Sequence, residues 1–142
     1  MVDVQERDTG LLVPLRSQER LLDGFRGDAG EPFEIPRMLV VTNDFPPRVG
    51  GAQRYVHDLV RHLPADRVSV LAPRWRGWRE FDAAQPYPVH RFAASMLTPV
   101  PEVAHRVRSL IRETGAEVVL FGHALLAMLG PDVAGRAGVP YA

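Results

Sequence analysis

The sequence contains no cysteine and no lysine among its 142 residues. The absence of cysteine excludes disulfide bonds and thiolate metal sites within this chain. All 17 basic side chains are therefore arginines, and arginine is the better bidentate partner for phosphate wherever it lines a site. They are balanced by 17 acidic residues, so the net charge gives no indication of nucleic acid or an anionic membrane as a partner.

Long apolar runs are also absent. No stretch approaches the roughly 18 apolar residues of a membrane span, and the acidic amino terminus is unlike a secretory signal. These features predict a cytoplasmic protein that is soluble or is peripheral on the inner face of the plasma membrane. A length of 142 residues is enough for one domain and hardly for two.

Residues 1–37 differ from the rest of the chain. They carry eight acidic and five basic side chains, and hence a net charge of −3. Ser17 is placed to cap one short helix, and residues 30–36 have the composition of a linker. We predict that residues 1–37 are an extension that is poorly ordered or holds one short helix, and that residues 38–142 form a domain truncated before its end.

An apolar run, a loop with prolines and glycines, and an amphipathic helix follow one another at the start of this domain. Residues 38–42 are typical of a parallel strand that is buried on both faces, and Pro46 and Pro47 follow shortly after its end. Apolar residues then recur at helical spacing, which predicts a helix with one buried stripe. The stripe consists of Ala52, Tyr55, Val56, Leu59, Val60 and Leu63.

Strands and helices alternate along the remaining sequence. This alternation predicts an α/β fold, namely a Rossmann-like, doubly wound and mostly parallel sheet. Ligands of such sheets bind at the carboxyl ends of the strands, where the predicted loops are residues 43–51, 73–88 and 122–124. The later predicted strands are residues 68–72, 89–92, 117–121 and 139–142, and the later predicted helices begin at Pro101 and Gly122.

Gly50 and Gly51 lie at the turn from the first strand to the first helix. Two glycines let the backbone approach a ligand closely, and the first amides of the helix present unpaired N–H groups that suit a phosphate. The alternative is a tight turn that only packs the helix against the sheet. Neither Gly-x-Gly-x-x-Gly nor a P-loop signature occurs, which argues against an ordinary NAD site or a kinase. Arg48 either meets a phosphate or is solvated with the loop.

Histidines occur at two places that matter for function. His57 and His62 lie five positions apart on the predicted helix, too far round it to share a metal ion, and we predict that both face solvent. His123 follows the end of a strand, where its imidazole suits acid–base chemistry or contact with a substrate. The alternative for His123 is a structural position beside a helix N-cap.

Residues 73–82 contain an aromatic and basic cluster. Indole and guanidinium groups together suit a membrane interface or an anionic lipid headgroup. The alternative is a loop that folds onto its own sheet and buries both tryptophans. The cluster consists of Trp75, Trp78, Arg74, Arg76 and Arg79.

Residues 43–56, NDFPPRVGGAQRYV, resemble the opening of the amino-terminal domain of family 4 glycosyltransferases. These enzymes have two Rossmann-like domains that face each other, the GT-B fold. The sequence is further similar to the actinobacterial GDP-mannose-dependent phosphatidylinositol monomannoside mannosyltransferases, and the resemblance covers about residues 37–142. The segments that carry the narrower likeness are residues 63–66, 70–78, 81–86 and 121–122.

The resemblance implies a retaining transfer of a sugar, with the acceptor held mainly by the amino-terminal domain and the nucleotide mainly by the carboxyl-terminal one. It implies GDP-mannose as the donor substrate, a lipid-linked inositol acceptor, no metal and no further cofactor. It places no catalytic residue in this chain. The residues expected to bind the donor diphosphate or the acceptor are Gly50, Gly51, Gln53, Arg54 and Arg48, with further acceptor contacts from His123, Asn43 and Asp44.

Two departures from the family pattern limit this expectation. The family's histidine loop follows the fifth strand, and the nucleotide-binding domain with its paired glutamates lies outside these 142 residues. The resemblance therefore implies a fragment that is inactive alone, and residues 8–14 look like a segment of the family's carboxyl-terminal domain. Two alternatives stay open, namely a same-family enzyme with a UDP-sugar donor and a soluble acceptor, and a non-enzymatic Rossmann-like binding domain.

Overall fold

Strands and helices alternate along the chain in the computed structural model, which describes residues 34–142. Of these, Ile35–Ala142 form one compact unit. The predictions for residues 1–33, including the helix capped by Ser17 and the likeness of residues 8–14, lie outside the described residues, and the domain boundary after residue 37 stays a prediction. The elements are β1 (Met38–Val41), α1 (Gly51–Arg61), β2 (Val68–Pro73), α2 (Trp78–Ala83), β3 (Val89–Phe92), α3 (Pro101–Thr114), β4 (Val118–Phe121), a 3₁₀ turn (Leu126–Leu129) and α4 (Gly130–Ala137).

The four strands are parallel and stand in the order β3-β2-β1-β4. Met38 of β1 pairs with Val68 on one side and with Val118 on the other. The predicted fifth strand is reduced to a parallel bridge between Val119 of β4 and Tyr141. The fold is thus the predicted α/β type, a Rossmann-like parallel sheet, and its strand order reverses between β1 and β4.

Two apolar cores cover the two faces of the sheet. Leu39 and Val41 of β1 belong to the core beneath α3, whereas Val40 between them belongs to the core beneath α1. This division arises because successive side chains of a strand point to opposite faces. Both faces of β1 are therefore buried, as its uninterrupted apolar sequence predicts.

Helix α1 buries a different face from the one that the apolar spacing predicts. Val56 and Val60 are buried as expected, but Tyr55 is 70% exposed and Leu59 is 40% exposed. The third buried residue is the polar Gln53, whose side chain donates a hydrogen bond beneath the preceding loop. That hydrogen bond satisfies a buried amide, so the helix can present Gln53 inward and leave Tyr55 outside.

Residues 73–88 were predicted to be a loop, and this prediction is wrong in two respects. Pro73 is the last residue of β2, and Trp78–Ala83 form the short helix α2. Gly77 precedes this helix with a φ of 83°, a left-handed conformation that glycine adopts without steric cost. Phe81 packs against the core beneath α1, and this burial stabilises a helix that is too short to be stable alone.

Candidate functional site

The loops that follow β1 and β4 approach each other at the point where the strand order reverses. Gly122 donates its N–H to the carbonyl of Val41 at 2.9 Å. A Cβ atom on Gly122 would lie 2.9 Å from Cβ of Thr42, so only glycine lets the two loops come this close. This is the edge of the sheet at which ligands of doubly wound folds bind.

An open depression of about 450 Å³ lies in the loop between β1 and α1. It is large enough for a small molecule, although it is not enclosed. Of the five residues predicted to bind a diphosphate or an acceptor, four line it, and Gln53 does not. The lining residues are Pro46, Pro47, Arg48, Val49, Gly50, Gly51, Arg54 and His57.

The start of α1 contributes unpaired backbone donors to this depression. No side chain caps the helix, and the first intrahelical bond runs from the N–H of Arg54 to the carbonyl of Gly50 at 3.1 Å. The amides that precede Arg54 in the first turn have no partner inside the helix. A Cβ atom on Gly51 would meet nothing within 4 Å, so the space beside Gly51 is open. Together with two arginines they form an electropositive surface.

Gln53 and Asp44 contact each other beneath the loop. Nε2 of Gln53 donates to Oδ1 of Asp44 at 2.9 Å, and Gln53 is only 7% exposed. A Cβ atom on Gly50 would overlap the amide oxygen of Gln53, so Gly50 gives the side chain the room it occupies. The structure thus places Gln53 as a support for the glycine turn.

Asn43 connects this loop to the segment between β3 and α3. Its Nδ2 donates to the carbonyl of Leu97 at 2.9 Å, and its Oδ1 accepts the N–H of Leu97 at 2.6 Å. Both residues are buried. The amide of Asn43 is therefore engaged by the backbone, and the segment around Leu97 is a fourth loop at this edge of the sheet that sequence reasoning did not include.

His123 is exposed and lies between β4 and the 3₁₀ turn. Its Nδ1 accepts the N–H of Leu125 at 3.2 Å, and its carbonyl accepts the N–H of Leu126 at 2.9 Å. These contacts match the structural alternative considered for His123, a position beside a helix start.

Arginine side chains cover the faces of both tryptophans in the aromatic and basic cluster. The guanidinium of Arg48 lies 4.9 Å from the ring centre of Trp75, and that of Arg79 lies 4.6 Å from the ring centre of Trp78. Both tryptophans are half-buried, and the indole N–H of Trp75 is buried without a partner in the part of the chain that the structure describes. Arg76 is exposed. The contact with Trp75 joins this cluster to the depression through Arg48.

Arg91 of β3 holds the glycine loop in place, and sequence reasoning did not single it out. Its side chain is 1% exposed and pairs with Asp82 of α2 at 2.7 Å. It also donates to the carbonyl of Pro46 at 2.6 Å and to that of Pro73 at 2.9 Å. Arg91 therefore fixes Pro46 at the rim of the depression. The sequence does contain a signal for this role, because an arginine within a short strand is a charge that needs partners if it is buried.

His57 is half-buried, so the prediction that it faces solvent is wrong. Its ring packs edge-on against Phe45 at 5.8 Å and against Phe81 at 5.3 Å between ring centres. Nε2 of His57 lies 3.1 Å from Oε1 of Gln85. The contacts of His57 could not be foreseen because Phe81 and Gln85 belong to residues 73–88, which were predicted to be a loop and are partly helical. His62 is exposed, as predicted.

Two further properties of residues 34–142 bear on function. No group of three or more histidine, aspartate or glutamate side chains in this range could hold a metal ion. None of its helices is both long and apolar enough to cross a membrane.

Comparisons with known proteins identify several similar proteins, all of which are named as GDP-mannose-dependent mannosyltransferases. The chain is 46% identical over 106 residues to the GDP-mannose-dependent alpha-(1-6)-phosphatidylinositol monomannoside mannosyltransferase of Mycolicibacterium smegmatis, an alignment that covers 71% of this chain and 28% of that enzyme. The predicted resemblance is confirmed. The enzyme of the same name from Mycobacterium tuberculosis strain H37Rv is 44% identical over 104 residues, which cover 68% of this chain and 27% of the relative.

A third relative differs slightly in its name. It is the GDP-mannose-dependent monoacylated alpha-(1-6)-phosphatidylinositol monomannoside mannosyltransferase of Corynebacterium glutamicum, 36% identical over 104 residues that cover 72% of this chain and 27% of that enzyme. No protein-family model matches the chain. The matched region thus spans 27–28% of the length of these three relatives.

Proposed function

We propose that this chain is the amino-terminal, acceptor-side domain of a retaining mannosyltransferase. The complete enzyme transfers mannose from GDP-mannose to a phosphatidylinositol mannoside-like acceptor at the inner face of the plasma membrane. The observation that carries the proposal is the electropositive depression in the loop between β1 and α1, lined by Gly50, Gly51, Arg48 and Arg54. The donor and acceptor named for the relatives support this choice of substrates.

The depression offers what an anionic group on the donor or the acceptor needs. The uncapped amides of α1 lie at the positive end of the helix dipole. Arg48 and Arg54 add positively charged guanidinium groups, which can donate hydrogen bonds to phosphate oxygens. In the complete enzyme such groups stabilise the charge that develops on a leaving diphosphate. These 142 residues form one wall of the cleft, so we expect no transfer from them alone.

Binding of pyrophosphate to the purified chain tests this site. We expect the backbone amide resonances of Gly51 and Ala52 to shift in a titration followed by NMR. Arg48→Gln should weaken binding by about threefold to tenfold, because it removes one charge-assisted hydrogen bond at a partly exposed site. The matched control is Arg112→Gln, which removes an exposed arginine on α3. Equal affinities of both variants for pyrophosphate would contradict the assignment.

A transfer assay with the same preparation tests whether the chain is inactive without a nucleotide-binding domain. With GDP-mannose and vesicles that contain a phosphatidylinositol mannoside, the 142-residue chain should transfer no mannose above the level of a heat-inactivated sample. Robust transfer would show that one domain suffices, and the proposal of an acceptor-side domain would then be wrong.

The aromatic and basic cluster is the part of this domain that we propose contacts the membrane. Trp78, with Arg74 and Arg79 beside its ring, presents an indole and several cations on one surface. Arg76→Gln should reduce binding to vesicles that contain phosphatidylinositol by about fivefold, which corresponds to about 1 kcal/mol per basic residue near an anionic surface.

Co-sedimentation with vesicles measures this effect, and Trp78→Ala should weaken binding in the same assay. Arg112→Gln serves again as the control on another helix. The absence of vesicle binding by the unaltered chain would instead favour the alternative of a soluble acceptor.

A further inference from the structure

The hydrogen bonds of Gln85 determine which nitrogen of His57 carries a proton. Nε2 of Gln85 donates to the carbonyl of Phe81 at 3.0 Å, and this carbonyl can only accept. The other amide atom, Oε1, therefore faces His57 and accepts the hydroxyl of Tyr87 at 3.1 Å. Burial raises the pKa of Tyr87 to about 12, so its hydroxyl keeps its proton at neutral pH.

An oxygen that only accepts requires a donor opposite it. Nε2 of His57, at 3.1 Å from Oε1 of Gln85, must therefore carry hydrogen. In a neutral imidazole the other nitrogen, Nδ1, then has a free lone pair. Nδ1 has no hydrogen-bond partner within residues 34–142 and is not among their buried unpaired atoms. It is available to a ligand.

The position of the imidazole ring is as well determined as its tautomer. Phe45 is fully buried and meets the imidazole nearly at a right angle, with an interplanar angle of 86°. Phe81 packs on it at 63°. His57 also lines the depression with Gly50 and Gly51, which brings its ring to the proposed anion site.

We propose that His57 is a specificity-determining residue of this depression, whose Nδ1 accepts a hydrogen bond from a hydroxyl group of the bound ligand. This inference rests on the proposed function, because the anionic group is assigned to Gly50, Gly51 and the neighbouring arginines. The hydroxyl groups of inorganic phosphate lie on the phosphorus atom that is assigned to the glycine turn and the arginines, whereas a polyol or sugar phosphate carries further hydroxyl groups beyond it. The ligand class selected here is therefore a phosphorylated polyol, and the volume of about 450 Å³ leaves room for more than a phosphate.

The first test measures the tautomer of His57 in the purified chain. A long-range proton–nitrogen NMR correlation, recorded at a pH high enough for the imidazole to be neutral, should show hydrogen on Nε2 and none on Nδ1. Gln85→Leu, which removes the acceptor, should raise the fraction of the tautomer with hydrogen on Nδ1. Hydrogen on Nδ1 in the unaltered chain would overturn the inference.

The second test compares the affinities of myo-inositol 1-phosphate and inorganic phosphate. His57→Phe keeps an aromatic ring between Phe45 and Phe81 but has no acceptor, so it should weaken binding of the polyol phosphate by about threefold to tenfold. The affinity for inorganic phosphate should stay unchanged. His57→Asn, which returns an acceptor oxygen close to the position of Nδ1, should recover part of the lost affinity. His62→Phe is the matched control, at the exposed position that follows the end of α1.

The outcomes separate the two proposals. If both probes bind and His57→Phe changes neither affinity, the role of His57 is wrong while the anion site stands. If neither probe binds to the unaltered chain, the anion site fails and the inference about His57 fails with it. Thermal unfolding of each variant shows whether a lost affinity reflects a lost fold.

Discussion

Replacing Arg91 with leucine is expected to lower the free energy of unfolding by about 3–5 kcal/mol. The substitution leaves Asp82, whose side chain is 13% exposed, without its cationic partner. It also removes the donors from the carbonyls of Pro46 and Pro73. An uncompensated buried charge is among the few causes of so large an effect from one substitution.

A double-mutant cycle with Asp82→Leu separates the ion pair from packing. The double variant should be much more stable than Arg91→Leu, because replacing both members of a buried pair removes the unpaired charge. The matched control is Arg106→Leu, which breaks an ion pair with Glu113 that is 3.0 Å long but has side chains 36% and 49% exposed. The control should lower the free energy of unfolding far less than Arg91→Leu does, because an ion pair exposed to water contributes little to stability.

Urea unfolding followed by tryptophan fluorescence gives the free energy of unfolding of the unaltered chain and of the four variants. Similar losses of unfolding free energy for Arg91→Leu and Arg106→Leu would mean that burying the ion pair of Arg91 with Asp82 has no effect on stability. Because Arg91 donates to Pro46, the Arg91→Leu variant should also bind pyrophosphate more weakly than its remaining folded fraction accounts for.

The regular part of the fold could be predicted because its causes are local. The apolar run of β1 and the helical spacing in α3 each follow from residues that are near one another in sequence. Pro101 at the start of α3 and Gly115 at its end, with a φ of 67°, mark the boundaries of that helix in the sequence itself. The Rossmann-like type then follows from the alternation of strands with helices.

The supports of the candidate site could not be predicted because their partners are distant in sequence. Asn43 and Leu97 are 54 residues apart, and Arg91 and Pro46 are 45 residues apart. Spacing rules describe neighbours on one helix or strand and carry no information about such pairs. The glycines themselves were visible in the sequence, whereas the groups that hold their loop in place were not.

Replacing Asn43 with alanine is the second change with a large expected effect. It removes two hydrogen bonds to the backbone of Leu97, of 2.9 Å and 2.6 Å, in a place where water does not replace them. Each of the two buried backbone groups left unpaired costs about 1–3 kcal/mol, so the free energy of unfolding should fall by about 2–6 kcal/mol. The control is Ser95→Ala, at an exposed position in the segment between β3 and α3 that also contains Leu97. It should change the free energy of unfolding by less than about 0.5 kcal/mol.

This variant also separates a structural role of Asn43 from the predicted contact with the acceptor. If Asn43 supports the loop, Asn43→Ala should lower stability in urea unfolding, and its affinity for myo-inositol 1-phosphate should recover at low temperature, where the folded fraction is restored. If Asn43 binds the acceptor directly, stability should change little while affinity falls at every temperature. The geometry favours the first outcome, because both polar atoms of the amide are already paired with Leu97.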